Sequence, residues 1–107
     1  LSDAYRISKN NYDIGEVASA LQKAVRRGDE KSAAYWAYEL CDSGKSAYLW
    51  RRLFVIAAED ISAANPAIIG IVHDCYEAFQ VASKNPVANP EMMVVIAAIY
   101  HMCRSKK

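Results

Sequence analysis

The chain reads as an all-α fold, a compact bundle of about five helices, and three observations predict it. Apolar residues recur at intervals of three and four through most of the sequence, the spacing of one helical face. Residues that start and stop helices punctuate it at helix-length intervals. The 107 residues hold only four Gly and three Pro and are 53% hydrophobic, too little punctuated for a small β-sandwich and too apolar for a disordered chain. A chain of this length forms one domain able to bury about two thirds of its unfolded surface.

Residues 1–12 are polar and aromatic without a period, and Lys9-Asn10-Asn11 reads as a loop, so a loosely held N-terminal arm is expected before a helical domain over 13–107. Asp13 and Glu16 have the form of a capping box, and Val17, Leu21, Ala24 and Val25 share one face, which places helix 1 over about Ile14–Arg27 with Gly28 as a left-handed stop. Asp29 caps helix 2, whose stripe is Ala33, Trp36, Ala37, Leu40 and Cys41 and whose end is Gly44. The link between the two is so short that they fold back as a hairpin. Ser46 is the expected cap of helix 3, where Leu49, Trp50, Leu53, Phe54, Ile56, Ala57 and Ile61 cover more than half the circumference, a mostly buried helix. Asn65-Pro66 and Asn89-Pro90 each put a good cap before a proline suited to the first helical position. Helix 4, about Pro66–Ser83, sets Ile68, Ile69, Val72, Cys75, Tyr76, Phe79 and Ala82 against a polar side of His73, Asp74, Glu77 and Gln80. Helix 5, about Pro90–Arg104, is apolar all round and is either the central helix or one face of an oligomer. Its β-branched residues would also suit a strand, but its length and proline cap favour helix.

Composition excludes several function classes. Thirteen Lys and Arg against twelve Asp and Glu leave a formal charge of +1, so any binding of nucleic acid or anionic membrane must be local. Three cysteines, an odd number, form no disulfide framework and point to buried reduced thiols in a cytoplasmic protein. The longest strongly apolar stretch free of Asp, Glu, Lys and Arg is Met92–Cys103, short of the roughly 20 residues that span a bilayer, so a soluble protein without a membrane partner or a leader is expected. The opening Leu in place of Met points to a longer or processed chain. Gly44-Lys45-Ser46 lacks the upstream glycine and buried strand of a phosphate loop and sits where one helix stops and another starts, so no nucleotide cofactor is expected in this chain. His73-Cys75 and His101-Cys103 are separated by two positions, which point to different sides of a helix and cannot share a metal. No catalytic residue, metal or cofactor site is therefore assigned. Cys41 and Cys75 stand 34 apart, the period of one helical repeat array, but nothing else repeats.

Two charged sets remain. Arg51-Arg52 precede Glu59-Asp60 by two helical turns inside an apolar helix, and they read as ion pairs to other helices or as a polar seam between subunits. Guanidinium groups beside both carboxylates hold them ionised, against an acid and base pair. Lys23, Arg26 and Arg27 end helix 1, and Arg104, Lys106 and Lys107 end helix 5. They complement the helix dipoles, or combine into a patch for phosphate contact with Tyr35, Tyr38 and Tyr48 beside it.

The stretch Ala18-Ser19-Ala20-Leu21-Gln22-Lys23-Ala24-Val25-Arg26-Arg27-Gly28-Asp29, followed by Ala33-Ala34-Tyr35-Trp36, resembles the start of the C-terminal helical region of the RarA or MgsA family of replication-associated recombination proteins. These are AAA+ ATPases related to clamp loaders and to the Werner-helicase-interacting protein. Arg51-Arg52-Leu53, Ile56-Ala57-Ala58-Glu59-Asp60-Ile61 and Ala64-Asn65-Pro66 resemble that family's Arg-Arg-Leu, Ala-x-Glu-Asp-Ile-Gly and Ala-Asp-Pro signature, with Ser62 in place of its Gly. Ile99-Tyr100 resembles the Ile-Tyr near its end. The turns depart from the family: Arg27-Gly28-Asp29 stands for Arg-Gly-Ser-Asp, and Gly44-Lys45-Ser46-Ala47 for Gly-Glu-Asp-Pro. The resemblance implies a clamp-loader-collar-like domain that follows an ATPase module and assembles subunits, as a tetramer in the family, at stalled replication forks. It also implies that ATP and Mg belong to that module, with DNA and replication proteins such as single-strand binding protein as partners. Two functions are compatible with these residues. One is a non-catalytic oligomerisation and partner-binding domain with Arg51, Arg52, Glu59 and Asp60 at its interface; the other is direct DNA binding by the basic helix ends.

Overall fold

The backbone N–H of Glu16 donates to Asp13 Oδ1 at 3.0 Å, and this cap starts α1 (Ile14–Arg26) in the computed structural model, which describes residues 6–84 and 90–107. Val17, Leu21, Ala24 and Val25 are all buried, as their common face predicts. The helix stops at Gly28, whose φ of 70° is the left-handed conformation that only glycine adopts without strain. A Cβ there would also lie 3.2 Å from the Cys103 carbonyl oxygen, close enough that the backbone around Cys103 would have to yield by a few tenths of an ångström.

Asp29 caps α2 (Glu30–Asp42) by accepting the Ser32 N–H at 3.1 Å, and α2 packs back along α1 as the expected hairpin. Ala33, Ala37 and Leu40 are buried, while Trp36 and Cys41 are half-buried at the margin of the core. After Gly44, again left-handed, comes α3 (Ser46–Ile56). Ser46 is its first helical residue instead of its cap: Lys45 takes the cap position, and its side chain makes no capping hydrogen bond. Leu49, Trp50, Leu53 and Ile56 are buried. Trp50 lies 5.6 Å from the Tyr76 ring and 5.4 Å from Phe79, and burial of such a side chain contributes about 1.5–3 kcal/mol.

The helix continues as a single π-helical turn, Ala57–Ile61, in which the Ser62 N–H reaches the Ala57 carbonyl at 2.8 Å. The wider turn shifts the register of the residues after it, a feature frequent at functional sites. Asn65-Pro66 does not start the next helix. The Asn65 side chain is turned to Ser105 Oγ at 3.3 Å and its carbonyl accepts the Ile68 N–H, so α4 (Ile68–Ala82) begins two residues later than expected. Its face holds Ile68, Val72 and Phe79 in the core, but Ile69 is exposed and Ile71 takes its place against the core. Pro90 is the cap of α5 (Glu91–Arg104), not its first turn; Asn89 lies outside the described residues. α5 packs along α4 and also touches α1 and α2, while α3 contacts α1, α2 and α4. The described residues thus form an all-α bundle of five helices.

Residues 6–12 are not the loose arm expected from their composition. The Lys9 N–H donates to Ser43 Oγ at 2.8 Å, and the Asn10 N–H and Nδ2 donate to the two carboxylate oxygens of Glu39 at 2.8 and 2.6 Å. Tyr12 meets Trp36 edge to face with ring centres 4.9 Å apart. Glu39, 1% exposed, is the buried carboxylate that this arm satisfies. Hydrogen bonding from Ser8, and then from Asn10, outweighs burial and holds Glu39 below the usual carboxylate range. A charge inside an apolar stretch of α2 is tolerated because its donors come from far along the chain.

Candidate functional site

The π turn carries two of the four charges on and after α3, Glu59 and Asp60. It turns Asp60 toward α1, where Asp60 Oδ2 accepts from Gln22 Nε2 at 3.0 Å and pairs with Arg26 at 3.5 Å. Arg52 Nη2 donates to Gln22 Oε1 at 2.9 Å, so Arg52, Gln22, Asp60 and Arg26 form one chain of contacts between α1 and α3. Arg52 Nε is buried with no hydrogen-bond partner among the described residues. Arg51 and Glu59 are exposed and stand apart from this chain. Sequence reading missed Gln22, the bridging member. The signal that could have found it was its four-residue spacing from Arg26, which puts both on the α1 face that meets α3.

The two basic ends meet, as the approach of Gly28 to Cys103 requires. Three of their six cations, Arg26, Arg104 and Lys107, have partners among the described residues. Arg104 forms a two-pronged pair with Glu30 at the start of α2 and stacks 4.7 Å from the Tyr100 ring centre. This bond holds the Glu30 carboxyl below its ordinary range. Lys107 Nζ donates to the carbonyls of Cys103 and Ser105, both at 2.8 Å, closing the end of α5. Arg27 and Lys106 are exposed, and Lys23 lies farther along the outer face of α1 beside Glu16 and Ser19. An open groove of 670 Å³ beside this end is lined by Tyr100, His101, Arg104 and Lys106 with Ala64 and Asn65.

The outer side of α5 carries a different surface. Val95, Ala98, Ile99, Met102 and Cys103 face the core, which leaves Met93 75% exposed, Tyr100 39% exposed, and Ile96 and Ala97 between them. Positions 93, 96, 97 and 100 form one stripe at helical spacing. The helix is therefore apolar on two sides and buried on one.

The thiols are free, Cys103 buried and Cys41 and Cys75 half-buried. Burial pushes the Cys41 and Cys103 thiols up to about 11 and raises Cys75 as well, which suppresses the reactive thiolate. His73 faces Asp74 at 3.8 Å and Glu77 at 3.4 Å on the exposed side of α4. Among the described residues no three His, Cys, Asp or Glu side chains gather as a metal site would need, and no helix is long and apolar enough to cross a membrane.

These features define a small all-α domain with an internal charged seam, paired basic helix ends and one uncovered apolar stripe. Residues 28–107, from the turn after α1 to the end of the chain, match the family model described as MgsA AAA+ ATPase C terminal, and the chain belongs to that family, as the C-terminal domain of the AAA+ ATPases of replication-associated recombination. It is 30% identical over 102 residues to the replication-associated recombination protein A of Coxiella burnetii, covering 94% of this chain and 22% of that protein. It is 36% identical over 93 residues to the protein of that name from Bacillus subtilis, covering 86% of this chain and 21% of the relative. With the ATPase WRNIP1 of Dictyostelium discoideum it shares 36% over 73 residues, covering 63% of this chain and 8% of that protein. The chain spans about a fifth of the length of its bacterial relatives.

Proposed function

We propose that this domain is non-catalytic and joins copies of its parent ATPase through the outer side of α5. The observation that carries the reading is the stripe of exposed Met93, Ala97 and Tyr100 with half-buried Ile96, on a helix whose other side is the core. An apolar strip in a polar surround supplies affinity when a second copy covers it. Nucleotide binding and hydrolysis, with ATP and Mg, belong to the ATPase module for which the family is named, in a cytoplasmic parent acting in replication and recombination. Glu59, exposed just beyond α3, is free to set the register of a neighbouring copy, whereas Arg52 and Asp60 hold α1 and α3 together inside one copy.

Sedimentation equilibrium from micromolar to near-millimolar concentration tests this. The wild-type chain is expected to associate reversibly, toward the tetramer that the family resemblance implies, and Met93→Glu to sediment as a folded monomer. A wild-type chain that stays monomeric throughout overturns the reading.

One observation favours a second reading. The contact of Gly28 with Cys103 brings both basic ends to one side of the bundle, where Arg27 and Lys106 are exposed. Direct DNA binding there predicts that Arg27→Glu with Lys106→Glu removes binding measured at low salt, and that binding falls steeply as salt rises.

A further inference from the structure

A second groove, of 620 Å³, lies where the first turns of α1 and α3 meet the folded arm, and its lining includes Arg6, Lys45, Tyr48 and Arg51. We propose that this groove binds the phosphates of a single nucleic-acid strand. Its cations come from three separate segments: Arg6 from the arm, Lys45 from the turn before α3, and Arg51 from the second turn of α3. Asp13 is the carboxylate among the lining residues, and its Oδ1 is already taken by the Glu16 N–H at 3.0 Å.

The ion pairs found among the described residues engage Lys9, Arg26 and Arg104, but neither Arg6 nor Arg51. Both of those arginines are exposed at the groove. Two guanidinium forks facing one cleft match the paired oxygens of a phosphodiester better than point charges would. Tyr48, half-buried in the same lining, places an aromatic ring beside them, and a cationic groove edged by an aromatic ring is the arrangement that holds a flexible strand without reading its sequence. The fold supplies the convergence: the arm reaches this place because Lys9 and Asn10 are tied to Ser43 and Glu39 of the α2 end, next to Lys45. This assigns Arg51 to an anion and not to a seam between subunits.

The test is fluorescence anisotropy of a labelled oligothymidylate titrated with the full 107-residue chain across a salt series. Wild type is expected to bind with a log–log salt slope of about −1.4, as phosphate contacts by Arg6 and Arg51 to a single strand would give. Arg51→Gln should weaken binding about tenfold and lower the slope by about 0.7, while Arg51→Lys retains most of the slope. Arg27→Gln and Lys106→Gln should stay within about twofold of wild type. Thermal melting of each variant confirms that it is folded. Equal affinity of Arg51→Gln and wild type overturns the proposal, as does a loss in Arg27→Gln or Lys106→Gln as large as that in Arg51→Gln. Displacement of the strand by an equimolar oligoglutamate peptide would assign the groove to acidic protein segments and overturn it too. The same titration on Met93→Glu separates this site from the assembly reading, because strand binding there is expected unchanged in a monomer.

Discussion

α3 and α5 show that a strongly hydrophobic helix need not be more deeply buried than one that carries charges. α5 is apolar at nearly every position from Met92 to Tyr100, yet Met93 is 75% exposed and the stripe beyond it faces outward. α3 contains two adjacent arginines and runs into Glu59 and Asp60, yet Leu49, Leu53 and Ile56 are fully buried and Trp50 nearly so. The difference is where polar groups find partners. Arg52 and Asp60 reach Gln22 and Arg26 on α1, so α3 lies deep without stranding both of its inward charges. Between Met92 and Ile99 α5 has no polar side to assign to solvent, and its position is set by how many neighbours fit around it. The part left outside is then available for another chain.

The largest effect should separate the two helices outright. Trp50→Ala is expected to lower unfolding free energy by about 3–5 kcal/mol through lost burial and a residual cavity, while Met93→Ala changes it by less than about 0.5 kcal/mol; urea melts of both variants measure the contrast. Equal losses would mean that the outer stripe is packed as tightly as the core. Next in size is Glu39, another charge that is inside because its donors reach it. Glu39→Gln is expected to cost about 2 kcal/mol at neutral pH through lost charge-assisted hydrogen bonds. Because the folded-state pKa of Glu39 is depressed, its contribution is complete above the ordinary glutamate pKa and is lost as pH falls through the folded value. The gap in melting temperature between wild type and Glu39→Gln should therefore begin to narrow as pH falls through the ordinary glutamate value of about 4.3 and close only below the lower folded-state value.

A smaller change tests the seam beside α3. Asp60→Ala leaves Gln22 and Arg26 without their acceptor and is expected to cost about 1 kcal/mol, with Glu59→Ala near zero, by the same urea melts. The last prediction costs no stability. Met93→Cys should react with a maleimide at pH 8 at least about tenfold faster than native Cys103, whose thiol is pushed up to about 11 on the buried side of the same helix. Mass spectrometry of the labelled peptides reads the ratio, and comparable rates would mean that α5 is covered evenly.

Much of the fold could be read from single residues and their spacing. The Asp13 and Asp29 caps, the stops at Gly28 and Gly44 and the inward face of α1 follow from local backbone chemistry, which a helix end must satisfy wherever it sits. The cap at Asn65 could not be read the same way, because Ser105, forty positions away, takes the side chain that would have done the capping. The candidate surfaces were less legible still. Arg51 and Arg52 look alike in sequence, but one position of helical rotation sends Arg52 to α1 and Arg51 to the groove beside the arm.

By itself the sequence determined the helices, their polar and apolar sides, and the family signature around Arg51-Arg52 and Glu59-Asp60, since each depends on neighbours within a few residues. Only the tertiary structure decided that Glu39 is buried, that the arm is fastened, that a π turn hands Asp60 to α1, and that α5 keeps one apolar stripe outside. Those outcomes depend on which distant groups supply hydrogen bonds and how much surface five helices can cover, and neither is a property of any local stretch of chain.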